Sequence, residues 1–249
     1  MERKQNTPWR TVVVLVLFGV AFGYIEAAVV VYLRALYEPL ALELEPERGP
    51  GDLFPLITLE QLEATGSAHL SWLKTEVSRE AATMVMLVSI GLAVGWNFNT
   101  CFAGFVIAFG IWDLCYYIFL KVLIDWPTSL LDWDLLFLIP LPWVSPVLAP
   151  VLVAVSMVVA GTLVLWREWA DRPVRIGWQH WSIMALGALV IMVAFCWDYR
   201  RIMAGGMPNP FPWSIFLVGE TIGLAGFCLA LNRSEHGSTW IAESDPLRG

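Results

Sequence analysis

Ionisable side chains lie inside long apolar stretches of this chain, where a bilayer would leave them without water. The stretch GIWDLCYYIFLK, residues 110–121, is part of an apolar run and contains Asp113, Tyr116, Tyr117 and Lys121. These four residues share one broad face of a helix. A charge at the centre of a bilayer costs about 2.5–3.5 kcal/mol on insertion scales, so such residues indicate a functional site with partner groups nearby.

Other segments carry the same kind of residue. Glu26 and Glu220 lie within two further apolar runs, and Arg79 and Glu80 lie at the start of another. At a rise of about 1.5 Å per residue, Asp113 and Glu220 fall near the bilayer midplane. Hydrocarbon penalises each isolated charge, so we expect the acids to face one another in a polar cup that opens on one side of the membrane. The candidate binding residues are Glu26, Arg79, Glu80, Asp113, Tyr116, Tyr117, Lys121 and Glu220.

Each of these residues also has a structural interpretation. Burial favours the neutral form of a carboxyl group, so Glu26, Asp113 and Glu220 can be protonated acids that form hydrogen bonds between helices. Arg79 can form an ion pair with the glutamates beside it in the sequence. The tyrosines can act as packing residues and hydrogen-bond donors.

The composition indicates a membrane environment. Of the 249 residues, 58% are hydrophobic and 15% are charged, whereas soluble domains contain about 25% charged residues. Windows of about 20 apolar residues predict six transmembrane helices, near residues 11–34, 80–97, 101–124, 143–166, 181–199 and 211–231. We therefore predict an all-α polytopic membrane protein that forms a single membrane domain over residues 1–249.

The segments that join the six helices predict that they are arranged as three helical hairpins. Residues 35–79 are predicted to form a long acidic outer loop, whose second part, 58–78, has helical spacing and lies on the membrane surface. Residues 125–139 are predicted to form an interfacial or re-entrant helix on the same side. Basic residues flank the first helix and follow the fourth, so the positive-inside rule places both termini in the cytoplasm, with the chain in a plasma or inner membrane.

The first and third predicted helices resemble each other. AFGYIEAAVVVYLRAL, residues 21–36, and AFGIWDLCYYIFLKVL, residues 108–123, align at a constant offset of 87. In this alignment Glu26 matches Asp113, and Arg34 matches Lys121. The similarity predicts an internal duplication, in which the hairpins are parallel repeats about an axis along the membrane normal.

Several kinds of enzyme chemistry lack their motifs here. Di-iron, zinc and haem sites use histidine ligands, and none of the three histidines lies in a predicted transmembrane helix. No nucleophile-elbow, P-loop or dinucleotide-binding pattern occurs. The sequence therefore identifies no metal site and no cofactor, and we expect no nucleic-acid partner.

Three functions remain compatible with the pattern. The first is a carrier or binding protein for an ion or small polar solute, with Glu26, Asp113 and Glu220 lining the cup. The second is a membrane-embedded enzyme that acts on a lipid substrate, with paired acids as general acid and base. The third is a non-catalytic subunit of a membrane complex. The partners that these hypotheses predict are the lipid bilayer and either other membrane proteins or a second copy of the chain.

Overall fold

Six long helices dominate the protein. The computed structural model describes residues 8–47, 49 and 52–243, with side-chain surroundings for residues 9–47, 49 and 52–234. The chain is mostly helical, at 74%, and six helices are long and apolar enough to cross a membrane. These findings confirm the predicted all-α polytopic membrane protein. In chain order the elements are α1 (Pro8–Leu44), α2 (Leu59–Ala64), α3 (Ser67–Val94), α4 (Phe98–Ile124), β1 (Trp133–Phe137), β2 (Trp143–Pro146), α5 (Leu148–Trp169), α6 (Trp178–Phe195), α7 (Tyr199–Met203) and α8 (Trp213–Glu243).

The first helix is longer than the sequence pattern predicts. It continues through Pro39 to Leu44, and its last turns are held against the protein because Leu40 and Ala41 are buried. The predicted outer loop at 35–79 is therefore corrected, since its beginning belongs to α1 and its end to α2 and α3. The part between α1 and α2 covers residues 45–58.

The segment after α4 contains a β-hairpin, which corrects the interfacial or re-entrant helix predicted for residues 125–139. Strands β1 and β2 pair antiparallel, with Asp134 opposite Ser145. Prolines interrupt the segment at positions 127, 140, 142 and 146. Proline lacks the amide hydrogen that a helix interior requires, so the chain forms two short strands here. For the same reason α5 begins only at Leu148, later than predicted.

The central helix of the bundle is α4, on which α1, α3 and α5 all pack. Two glycines allow close contacts of α1 and α5 with α4. A Cβ atom at Gly23 would lie 2.9 Å from the carbonyl oxygen of Trp112, and one at Gly110 would lie 2.6 Å from that of Ala154. Gly23 and Gly110 occupy the same position in the two similar AFG segments. Both copies of AFG therefore form helix contacts, while the internal duplication stays a prediction.

A second packed pair, α6 with α8, lies beside this group. Its contact with α5 is slight and includes a hydrogen bond from the Ser156 hydroxyl to the Glu220 carboxylate. Of the three predicted hairpins, α4 with α5 and α6 with α8 are closely packed, whereas α1 and α3 meet mainly through α4. Consequently α5 and α6, which follow each other in the chain, belong to different packed groups.

Candidate functional site

A cavity of about 1330 Å³ lies in one half of the bundle, beside the β-hairpin. The helices contribute to it only near the ends that face the hairpin, through residues 26–42 of α1, 73–83 of α3, 109–124 of α4, 150–157 of α5 and 188–195 of α6. The other half of the bundle is filled by fully buried apolar side chains, among them Leu15, Leu87, Ile107 and Leu165. Packed apolar side chains therefore close the cavity at one end, and the hairpin and loops lie at its other end.

One wall of the cavity contains a buried ion-pair cluster that joins α1 to α3. The guanidinium of Arg79 forms ion pairs with Glu26 on α1 and with Glu76 on α3. The Thr83 hydroxyl also donates a hydrogen bond to Glu26, at 3.0 Å. Because each carboxylate has a fixed cationic partner, these two acids stabilise the packing of α1 and α3 while they line the cavity.

Glu80 attaches the β-hairpin to α3. The Leu138 amide, between β1 and β2, donates to both carboxylate oxygens of Glu80 at 3.0 and 2.9 Å. The Glu80 residue is 5% exposed, so water does not compete for this interaction. The hairpin is thereby held over the cavity at a fixed position.

Two aspartates from different elements lie near each other in the cavity. Asp113 comes from α4 and Asp134 from β1, and they are close enough for their charges to repel. The Tyr117 hydroxyl donates to Asp134 Oδ2 at 3.0 Å. Burial raises the pKa of Asp134 to about 6, although the charge of Arg34 and the Tyr117 hydrogen bond oppose this shift.

Neither aspartate is neutralised by a direct ion pair. Among the described residues, the ion pairs join Arg79 to Glu26 and Glu76, and Lys121 to Asp125. Asp113 also has no hydrogen bond to another described side chain, whereas Glu26, Glu80 and Asp134 each accept a hydrogen bond. The pair therefore places two carboxyl groups side by side in the cavity wall without a direct ion-pair partner among the described residues.

Aromatic rings surround this pair. Tyr116 and Tyr117 pack edge to face, with ring centroids 4.9 Å apart. Arg34 stacks on Trp126, with its Cζ 4.2 Å from the ring centroid. Aromatic faces beside carboxylates are the environment in which proteins bind organic ammonium ions.

Most of the residues predicted from the sequence line this one cavity, namely Glu26, Arg79, Glu80, Asp113, Tyr116 and Tyr117. Glu220 lies elsewhere, because α8 packs on α6 and the Glu220 carboxylate accepts from Ser156. Lys121 lies on the exposed end of α4 and pairs with Asp125 at 2.7 Å. Glu220 therefore does not line the cavity with Glu26 and Asp113, as the sequence predicted. The acid that lies near Asp113 is Asp134 of the hairpin.

Sequence reasoning did not identify Asp134 or Trp126 as site residues. Both lie in the segment interpreted as an interfacial helix. A signal for the strand was available, because WDLLF is a short apolar and aromatic run followed by prolines at 140 and 142, a pattern typical of a strand. An aspartate on a strand beside a membrane helix would then have been a candidate.

Within residues 9–47, 49 and 52–234, no group of three or more His, Cys, Asp or Glu side chains could hold a metal ion. No family model, curated protein or solved structure matches the chain.

Proposed function

We propose that this multi-pass membrane protein binds a small polar solute that carries positive charge, as the binding step of a carrier. The observation that supports this function is the Asp113–Asp134 pair, which lacks a direct cationic partner among the described residues. A buried carboxylate needs a counter-charge, and a cationic solute supplies it. The binding site on this proposal is the space between α4 and the β-hairpin.

The net negative charge of the residues that line the cavity also favours a positively charged ligand. Nine acidic residues but two arginines line the cavity among the described residues. A cleft lined by one sign of charge concentrates ligands of the opposite sign. An anionic solute would be repelled unless it displaced Glu26 and Glu76 from Arg79.

The orientation of the site is part of the proposal. The loop after α5, with Arg172 and Arg175, lies at the end of the bundle opposite the cavity. If the positive-inside rule holds for this loop, the cavity opens away from the cytoplasm. A solute would then enter from outside the cell, and the packed apolar half would form the closed inner gate.

Replacing Asp113 with Asn is expected to weaken the binding of tetramethylammonium at least tenfold, because the variant removes one of the two carboxyl groups that face the ligand. Binding is measured by isothermal titration calorimetry on the purified protein in a maltoside detergent. Circular dichroism checks that the variant is folded.

Asp171→Asn is the matched control for this prediction. It makes the same chemical change at an exposed position between α5 and α6, on the opposite side of the protein. Its affinity for tetramethylammonium should equal that of the wild type. Unchanged affinity in a folded Asp113→Asn variant, or absence of saturable binding by the wild type, would contradict the proposal.

Binding of tetramethylammonium is expected to strengthen as the pH rises through about 6. The pKa of Asp134 is raised to about 6, so this carboxyl is neutral below that pH and carries its full charge above pH 7. The ligand itself has no titratable proton, so any pH dependence comes from the protein. Asp134 faces Asp113, Arg34 and Tyr117. The Asp134→Asn variant should bind weakly and change less between pH 5 and 7, because Asp113 still lies beside the ligand, and an unaltered pH profile in this variant would exclude Asp134 as a titrating group.

A further inference from the structure

We infer that the ligand of the cavity is an amphiphile, with an ammonium head group beside Asp113 and Asp134 and a hydrocarbon tail between α5 and α6. This inference rests on the proposed function and specifies the ligand class. It follows from a second compartment of the same cavity. This compartment is lined by apolar residues and lies between two helices that do not pack closely, unlike the acidic part.

The second compartment lies between two helices that do not pack closely. α5 packs on α4, and α6 packs on α8, and the cavity extends into the space between α5 and α6. Every described residue that these two helices contribute to the cavity wall is apolar, including Val153, Met157, Ala188, Ile191 and Met192. Ala188 is exposed on the surface of α6. The compartment is thus an apolar slot between α5 and α6.

The apolar slot begins close to the acids. Phe109 and Trp112, which line the cavity next to Asp113 on α4, pack edge to face with ring centroids 5.1 Å apart. Phe137 of the hairpin lies 6.3 Å from Trp112 and 5.6 Å from Trp143, between ring centroids. Phe109 and Asp113 are about 6 Å apart along the helix axis. A single molecule can therefore reach both compartments with a head group and a short chain.

A bare ion would leave the slot between α5 and α6 empty. Apolar cavities do not hold water stably but do bind apolar molecules, so a hydrocarbon chain is the ligand part that suits the slot. The indole nitrogens of Trp112 and Trp143, at the junction of the two compartments, are buried and have no acceptor among the described residues. Indole is a donor only. An oxygen atom between the head and the tail of the ligand would give these donors a partner.

The test compares two quaternary ammonium ions that differ only in chain length. Tetramethylammonium and hexyltrimethylammonium are titrated into the purified protein in a maltoside detergent, with protein-free micelles as the blank. The wild type should bind hexyltrimethylammonium at least tenfold more tightly, because burial of about two methylene groups suffices for that difference. The Ala188→Trp variant should lose this tenfold advantage, so that it binds the two ions with similar affinity.

The control is Leu189→Trp, which adds an indole at the neighbouring position of α6. Leu189 is 55% exposed and lies outside the cavity lining, so this variant should retain the full chain-length advantage. If Ala188→Trp does not fold, Met192→Trp blocks the same slot. Equal affinities for the two ions in the wild type would overturn the inference and leave the proposed function standing. An advantage that persists in a folded slot variant would overturn the assignment of the tail. No binding of either ion would overturn both.

Discussion

Replacing Arg79 with Gln is expected to lower the free energy of unfolding by about 3 kcal/mol. The variant leaves the carboxylates of Glu26 and Glu76 buried without their cation, and removal of one partner from a buried ion pair costs about 3–5 kcal/mol. The lower end applies because 25% of the Arg79 side chain is exposed to solvent. The measurement is the midpoint of thermal unfolding in detergent, followed by circular dichroism.

Two further variants make this result specific to the cluster. Arg79→Gln combined with Glu26→Gln should be more stable than Arg79→Gln alone, because one fewer carboxylate is then left without a partner. Lys74→Gln removes a positive charge from an exposed position of the same helix, and its midpoint should match the wild type. If Arg79→Gln were as stable as Lys74→Gln, the cluster would not be what joins α1 to α3.

Replacing Glu80 with Ala is expected to lower the free energy of unfolding by about 2 kcal/mol and to loosen the β-hairpin. The variant removes both acceptors of the Leu138 amide, and a hydrogen bond to a charged group contributes about 1.5–3 kcal/mol. Hydrogen exchange should become faster in residues 133–146, while the amides of α4 keep their protection. Mass spectrometry of the exchanged peptides measures both regions in one experiment.

Glu80→Gln is the conservative variant for this prediction. It keeps one acceptor oxygen of nearly the same shape, so its stability and exchange rates should lie between those of the wild type and of Glu80→Ala. Faster exchange spread evenly over all helices in Glu80→Ala would indicate general destabilisation. In that case Glu80 would not be the residue that holds the hairpin.

The transmembrane helices were predictable because hydropathy is a local property. Each apolar run can be recognised in a window of about 20 residues. The predicted start of α4 was three residues from the observed one, and its predicted end was the observed one. The first helix was predicted too short because its apolar run ends near residue 34, whereas the helix continues to Leu44. Burial of Leu40 and Ala41, which is a tertiary effect, outweighs the local preference.

The site was predictable only in part, because its second aspartate depends on the hairpin. Glu26, Asp113 and Arg79 could be selected by their cost in hydrocarbon alone. Asp134 lies outside the apolar runs, so the same criterion does not find it. Glu220 satisfied the criterion but lies by Ser156, since hydropathy gives the depth of a residue and not the neighbour toward which its helix face turns.

The slot between α5 and α6 had no signal in the sequence. Both helices are apolar on all sides, and such helices give no indication of which faces touch. The gap arises because α6 packs on α8 and α5 packs on α4. The enzyme and complex-subunit hypotheses stay predictions for the same reason, since each depends on contacts that composition does not specify.

The central position of α4 has a consequence for biosynthesis. α1 and α3 both pack on α4, so the two segments that leave the ribosome first have no common partner until the third is made. During that interval Glu26 and Arg79 can neutralise each other at low cost. The α6–α8 pair, which packs mainly on itself, joins an assembly that is already complete. A chain that stops before α4 therefore holds α1 and α3 together mainly through this ion pair, without the helix on which both of them pack.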